Sequence, residues 1–277
     1  MNCIEKPTIN LIGAGKVGKA LAKRIILHQC GTIQAVCNAT LQSAKQAVAC
    51  LGQGYAAKID ELPPAQITLI TTPDDQIAQC CRQLAQTKTL VHGAYVIHCS
   101  GAWNVDILTP AQQQGALVAS VHPLQSITED TLQQFDQGTY CAIEGDLAVI
   151  PPLQDFFTAL GFIPFVLETS QKVAYHAAAV FASNYLVTLA EQALLCLKEA
   201  QIESPLAIEL ITVLMQQTLN NLKKEKIPAH ILTGPIQRGD KQTIAKHLAV
   251  LPEGLRNVYQ QLGQKTIAIA ALPTSKN

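Results

Sequence analysis

The sequence predicts a doubly wound α/β domain followed by an all-helical domain. Three observations carry this. Short apolar runs rich in β-branched residues alternate with helical stretches as far as Leu167, the pattern of a mostly parallel sheet with helices on both faces. A three-glycine turn joins the first such run to the first helical stretch. Beyond Leu167 only helical periodicity is found. The expected domains are residues 1–167 and 168–277.

Strands are expected at 8–12, 33–37, 67–71, 95–99, 117–121, 139–143 and 162–167, with helices between them at 16–28, 41–51, 75–86 and 152–160. The later helices are expected at 170–198, 205–225, 240–250 and 252–270, the first of them capped by Thr169 or Ser170. The stretch 173–197 is the most apolar of the chain, but it holds His, Ser, Asn, Thr, Glu and Gln. It reads as a buried globular helix rather than a membrane span.

Composition narrows the function. The 277 residues are 48% hydrophobic and 14% charged, with 20 basic and 20 acidic side chains. That is a globular composition with no basic excess for nucleic acid or an anionic membrane surface. A small-molecule partner is expected, with neither nucleic acid nor membrane. The nine cysteines, Cys3 among them, form no C-x-x-C and show no metal-ligand spacing. They read as small buried hydrophobes in a reducing, cytoplasmic setting, with vicinal Cys80-Cys81 the pair to watch for redox chemistry. The opening "MNCIEKPTIN" lacks the apolar core of a secretion signal.

The glycine turn is "NLIGAGKVGKALAKRI", with G-x-G-x-x-G at Gly13, Gly15 and Gly18. Spacing alone is a weak signal, but here a strand precedes it and a helix opens directly behind it. Gly13 permits the tight turn, Gly15 lets backbone approach a pyrophosphate, and Gly18 lets helix and strand pack closely. The helix start offers free N–H groups and the positive end of its dipole to phosphate. Gly13, Ala14, Gly15, Lys16, Val17 and Gly18 are therefore assigned to a dinucleotide. At the end of the second strand, where an NAD site places Asp or Glu, stands Asn38, followed by Thr40, Ser43 and Lys45. These groups suit a 2′-phosphate, so NADP(H) is expected over NAD(H).

Ligands of such sheets bind outside the carboxyl ends of the strands. Three strands there are followed by Thr72-Pro73, by Ser100-Gly101 and by His122-Pro123. Thr72, Pro73, Ser100 and Gly101 are expected to border a nicotinamide. His122 titrates near neutrality and can exchange a proton with a substrate oxygen; Ser100 can bond the same oxygen. His98 points to the other side of its strand from Cys99 and reads as structural. In the helical half, Lys172, His176, Val180 and Asn184 recur at i+4 along one ridge, which offers His176 and Asn184 to a cleft. Arg238, in a turn before the helix capped by Asp240, suits a carboxylate. The adhesion meaning of Arg238-Gly239-Asp240 is set aside for want of a secretion signal.

The stretches "GAGKVGKAL", "TTPDDQI", "HCSGA", "HPLQS", "YHAAAVFASNYLV" and "LTGPIQRGD" together resemble the bacterial Rossmann-like oxidoreductases whose C-terminal half is a domain of unknown function. The resemblance spans nearly the whole chain. It implies a helical domain like that of 6-phosphogluconate dehydrogenase, commonly paired in a homodimer. The wider superfamily includes β-hydroxyacid dehydrogenases, pyrroline-carboxylate reductase, ketopantoate reductase and prephenate dehydrogenase. Ser100 and His122 match positions that contact the reacting oxygen in prephenate dehydrogenases. Hydroxyacid dehydrogenases use a Lys with an Asn one turn later; here Lys172 is followed by His176, so His122 or His176 is expected as the acid. Some members stand in for the common ketopantoate reductase, and this chain is similar to them.

Overall fold

The computed structural model describes residues 6–128 and 135–271. It divides into two compact units, Met1–Val180 and Phe181–Asn277. The change from strands to helices falls at Leu167, within the first unit.

The first unit is built on β1 (Thr8–Ile12), α1 (Lys16–Leu27), β2 (Thr32–Cys37), α2 (Leu41–Leu51), β3 (Tyr55–Ala56), β4 (Ile67–Ile70), α3 (Asp74–Ala85), β5 (Tyr95–His98), α4 (Thr109–Gln112), β6 (Leu117–Pro123), β7 (Tyr140–Gly145), α5 (Ile150–Ala159) and β8 (Ile163–Val166). The strands form one eight-stranded sheet in the order β3-β2-β1-β4-β5-β6-β7-β8. All neighbours are parallel except β6 and β7. The order reverses direction between β1 and β4, which makes the switch point that opens a ligand crevice.

Side chains alternate between the faces of the sheet, so each face has its own core. Ile9, Leu11, Leu69, Ile97, Ala119 and Val121 pack with Leu21 and Ile25 of α1 and Leu153 and Phe157 of α5. Ile12, Ile70, Val96 and Val118 pack with Ile77, Cys81 and Leu84 of α3 and Ala111 of α4. The expected strands and helices of this half are present. The two-residue β3 and the short α4 were too brief to show a period. One expectation is corrected. β6 does not stop at Val121 but runs through His122 and Pro123, because β7 pairs with it there: His122 lies opposite Ala142 and Pro123 opposite Cys141.

The helical half comprises α6 (Lys172–Ala182), α7 (Asn184–Glu199), α8 (Leu206–Glu225), α9 (Pro228–Ile231), α10 (Lys241–Val250) and α11 (Glu253–Ala270). Here three expectations are corrected. The single helix expected over 170–198 is two, interrupted at Ser183, the N-cap of α7, whose φ of −119° is far from the ideal helical value. Neither Thr169 nor Ser170 is a cap; Thr169–Gln171 form a 3-10 turn, and Gln171 Oε1 accepts from the Glu168 N–H. The segment is also not buried. Thr169–Glu199 has the length and hydropathy of a membrane span, yet Val173, Phe181 and Val187 are 74%, 69% and 71% exposed. Asp240 caps α10 as expected, accepting from Thr243 N at 3.0 Å.

One buried cation ties the edges of the first unit together. Arg24 of α1 donates to the carbonyls of Leu160, Phe135 (2.6 Å) and Gly161 (3.2 Å), and its guanidinium lies 4.8 Å over the Phe162 ring. Arg24→Met would leave these carbonyls without their donor. It is expected to cost on the order of 3 kcal/mol in urea unfolding; a loss below about 1 kcal/mol would refute that account.

Candidate active site

The crevice at the switch point is a groove of about 1220 Å³ bordered by Gly13, Ala14, Gly15, Asn38, Thr72 and Pro73. Its geometry explains each glycine of the turn separately. Gly13 has φ +93°, and a Cβ there would meet Thr72 N at 2.6 Å. A Cβ on Gly18 would collide with Thr71 Oγ1 and Gly13 O. A Cβ on Gly15 would meet nothing within 4 Å. Steric need therefore fixes the outer two glycines, whereas the middle one leaves an open cradle at the helix start, the space a pyrophosphate requires. Gly13 N donates to Cys37 O at 2.7 Å, and Thr71 Oγ1 donates to Gly13 O at 2.5 Å. Lys16 is exposed at the first position of α1, and Val17 packs on the core.

Asn38 stands beside the turn. Its Oδ1 accepts from Ala14 N at 2.6 Å, so the side chain braces the loop and leaves its amide N–H groups for a ligand. Sequence reasoning missed two residues of the same groove, Lys58 and Asp60. They come from the turn behind β3, which the sequence did not reveal. Ser43 lines the groove too, while Thr40 is spent capping α2.

A polar cluster lies at the ends of β5 and β6, one and two strand spacings from β4, about 5 and 10 Å. Register sets it up. His98 pairs with Ser120, and Ser120 with Glu144, so three polar side chains form a row across the sheet. His98 Nδ1 accepts from Ser100 N at 3.1 Å, which puts the proton on Nε2, 3.1 Å from Asn104 O. His98 is thus structural, as its strand position suggested. Ser100 Oγ accepts from the N–H groups of Ala102 and Trp103, both at 3.1 Å; it shapes the turn and keeps its own proton to donate.

Gly101 is packed between two histidines. A Cβ on it would lie 2.8 Å from His122 Nε2 and would collide with His176 Nδ1. The rings stand edge to face with centroids 5.8 Å apart. His122 Nδ1 is 3.0 Å from the hydroxyl of Tyr175, a residue the sequence reading passed over because it looked like one more apolar helix position. His176 Nδ1 is buried without a hydrogen-bond partner, a costly arrangement unless a ligand supplies one. Below the pair, Lys172 Nζ forms an ion pair with Glu144 Oε2 at 3.1 Å and a hydrogen bond to Ser120 Oγ. Glu144 Oε1 accepts from Val105 N at 3.0 Å.

The structure therefore brings together Ser100, Gly101, His122 and His176. It does not continue the Lys172–Asn184 ridge, because the break at Ser183 interrupts it. Asn184 opens α7 in the second unit and is exposed. Arg238 is exposed in the turn after α9, with its N–H on Gly234 O at 3.3 Å. Among the described residues no group of three or more His, Cys, Asp and Glu is placed to hold a metal. The eight described cysteines are free, and Cys3 lies outside the described residues. Burial raises the Cys80 and Cys81 thiols above their ordinary range, which keeps both protonated and unreactive.

Burial holds His98 down at about 3 and His122 at about 4, and the charge of Lys172 adds to both. Both values lie below the ordinary 6.5, so these imidazoles bind protons more readily in the unfolded chain. Their contribution to stability is full above about pH 6.5 and is lost as pH falls from there toward 3. The unfolding free energy, measured by urea between pH 7 and 3.5, is expected to fall less steeply in His98→Gln than in the unaltered protein. Parallel curves would contradict this.

The comparisons with known proteins agree with this architecture. Residues 4–123 match the model of a Rossmann-like domain and residues 139–266 that of the domain of unknown function DUF2520. No protein of curated function matches the sequence significantly. A solved structure from Bacteroides fragilis, provisionally named an NADP oxidoreductase, is 21% identical with a TM-score of 0.80, covering 95% of this chain and 98% of that one. A Thermotoga maritima protein is 25% identical with a TM-score of 0.72, again over 95% and 98%. An imine reductase from Myxococcus stipitatus in complex with NADP+ is 18% identical with a TM-score of 0.67, over 95% and 93%. With the glycine turn, the switch-point groove and the helical half now in place, the chain belongs to the two-domain Rossmann-like family whose C-terminal half is DUF2520.

Proposed function

We propose that the protein is an NADP(H)-dependent oxidoreductase that reduces the carbonyl of a small 2-oxo acid, with 2-dehydropantoate (ketopantoate), the precursor of pantoate in pantothenate biosynthesis, as the leading substrate. The observation that carries this reading is a pairing of two features along one sheet, at the end of β1 and at the ends of β5 and β6, with β4 between them. One is the glycine cradle open at Gly15; the other is the His122–His176 pair across Gly101. The NADP+ in the imine reductase named above supports the choice of cofactor, as does Asn38 in place of a carboxylate at the end of β2.

Gly13, Ala14 and Gly15 with the start of α1 would hold the pyrophosphate. Asn38, Ser43 and Lys58 would meet the adenosine 2′-phosphate, and Thr72, Pro73, Ser100 and Gly101 the nicotinamide end. The bound cofactor supplies hydride to the carbonyl carbon. Negative charge then develops on the carbonyl oxygen, and the chain must meet it with donors. His122, held at about 4, is neutral at pH 7 and serves as a hydrogen-bond partner steadied by Tyr175. His176, whose buried Nδ1 lacks a partner, is assigned the proton. Arg238 suits a carboxylate group, since a guanidinium matches one in two parallel hydrogen bonds.

The test is NADPH oxidation by the purified protein with ketopantoate, with NADH run beside it. Turnover is expected with NADPH and weakly with NADH. His122→Ala and His176→Ala should still bind NADPH but lose about 10²–10⁴ in rate. Turnover of a cyclic imine instead of the oxo acid would keep the reductase and replace its substrate. Binding of NADPH with no turnover of either would leave a cofactor-binding protein without this activity.

We further propose that a second copy of the chain covers the helical half. Among the described residues of the second unit the buried apolar ones are Ala207, Ile211 and Leu251, while Val187, Leu214 and Val250 are 71%, 65% and 70% exposed. That is far less burial than an independent domain of such composition achieves. Sedimentation of the purified protein is expected to give a dimer; a monomer at micromolar concentration would refute it.

A further inference from the structure

The resemblance to hydroxyacid dehydrogenases invites a lysine at the start of the helical half to act on substrate. The geometry points elsewhere. We propose that Lys172 is a positioning residue for the His122–His176 pair, acting through Glu144 and Ser120 rather than on the substrate. The inference rests on the reading that the two histidines form the reacting site.

Lys172 is the one residue of α6 that is buried, 1% exposed against 2% for Glu144. Its other residues are half-buried or exposed, so that side chain is the deepest anchor of the helix on the sheet. The ammonium is engaged on both sides. Glu144 Oε2 pairs with it at 3.1 Å, and Ser120 Oγ accepts its hydrogen bond. The strand register puts those two groups directly opposite each other, so a single cation fits between them. Three and four residues along α6 come Tyr175 and His176, on the same helical face. Tyr175 bonds His122, and His176 packs on Gly101. Ser120 Oγ in turn donates to Ser100 O at 3.5 Å, in the turn that carries Gly101. Fixing Lys172 therefore fixes both histidines and the backbone between them.

The charge matters as well as the anchor. His122 faces His98 from β5, Lys172, Tyr175 and His176 from α6, and the face of β7 that carries Ala142 and Glu144. Lys172 opposes the imidazolium form, and Glu144 pairs that charge without cancelling its effect on the ring.

The experiment compares Ser120→Ala and the double variant Lys172→Met/Glu144→Gln with the unaltered protein. The double change removes both charges together, because replacing one alone would strand a buried ion. Imidazole ¹⁵N resonances are titrated by NMR, NADPH binding is followed by fluorescence, and kcat and KM are measured for the 2-oxo acid. In the double variant the His122 titration should move up from about 4 toward the ordinary histidine value. NADPH affinity should hold, and kcat should fall about 10²-fold with little change in KM. In Ser120→Ala the His176 resonances should move and kcat should fall less. Unchanged histidine titrations with turnover abolished at every pH would make Lys172 the group that meets substrate. Unchanged titrations with unchanged turnover would make it a fold anchor alone. Either result overturns the proposal. Should the double variant not fold, unmoved His176 resonances in Ser120→Ala overturn it. The titrations are read without substrate, so they stand even if the 2-oxo acid proves to be the wrong one.

Discussion

A buried ammonium must have partners, and that requirement organises the candidate active site. Taking Lys172 out of water is costly, and the cost is offset only by close, well-aligned counter-groups. Such groups exist because β6 and β7 pair in a register that sets Ser120 against Glu144. Move β7 by one residue and Glu144 would point to the opposite face, into the core formed by α1 and α5. The position of α6, the orientation of Tyr175 and the packing of His176 on Gly101 all follow from the one register that satisfies this charge.

The cofactor end is governed by steric exclusion rather than by charge. Gly13 and Gly18 are glycines because Thr71 and Thr72 already occupy the space a side chain would need. At Gly15 a Cβ would meet nothing among the described residues within 4 Å, so packing does not demand a glycine there. The same sequence motif thus contains two glycines explained by folding and one that folding leaves unexplained and open. Asn38 joins the two purposes: its carbonyl oxygen holds the loop closed and its N–H groups stay available.

Much of this was legible in the sequence, and the failures have physical causes. Strands and helices of the α/β half could be read because buried strands give dense apolar runs and the helices between them a 3.6-residue period. β3 has two residues and α4 four, too short for any period to register. The break at Ser183 left no mark in the apolar pattern, which runs through it unchanged. Gly101, His122 and His176 were found because strand ends and a helical ridge are sequence-local signals. Glu144 and Tyr175 were not, since their roles come from partners 28 and 53 residues away, Lys172 and His122. A glutamate inside the apolar strand "YCAIEG" was the available sign: an acid there needs a buried cation, and Lys172 was the residue to pair it with.

The antiparallel pairing of β6 with β7 has a consequence for motion. It carries β6 past the point where its parallel neighbour β5 ends, and so brings His122 inside a hydrogen-bonded ladder instead of on a loop. Reactive histidines on loops must be ordered each time substrate arrives. Here that ordering entropy is spent once, when the chain folds. The backbone at His122 can open to solvent only if the sheet edge itself parts, so its amide belongs among the slowly exchanging ones. Against that fixed ladder α6 is seated by three side chains, Lys172, Tyr175 and His176, while the rest of its surface stays open.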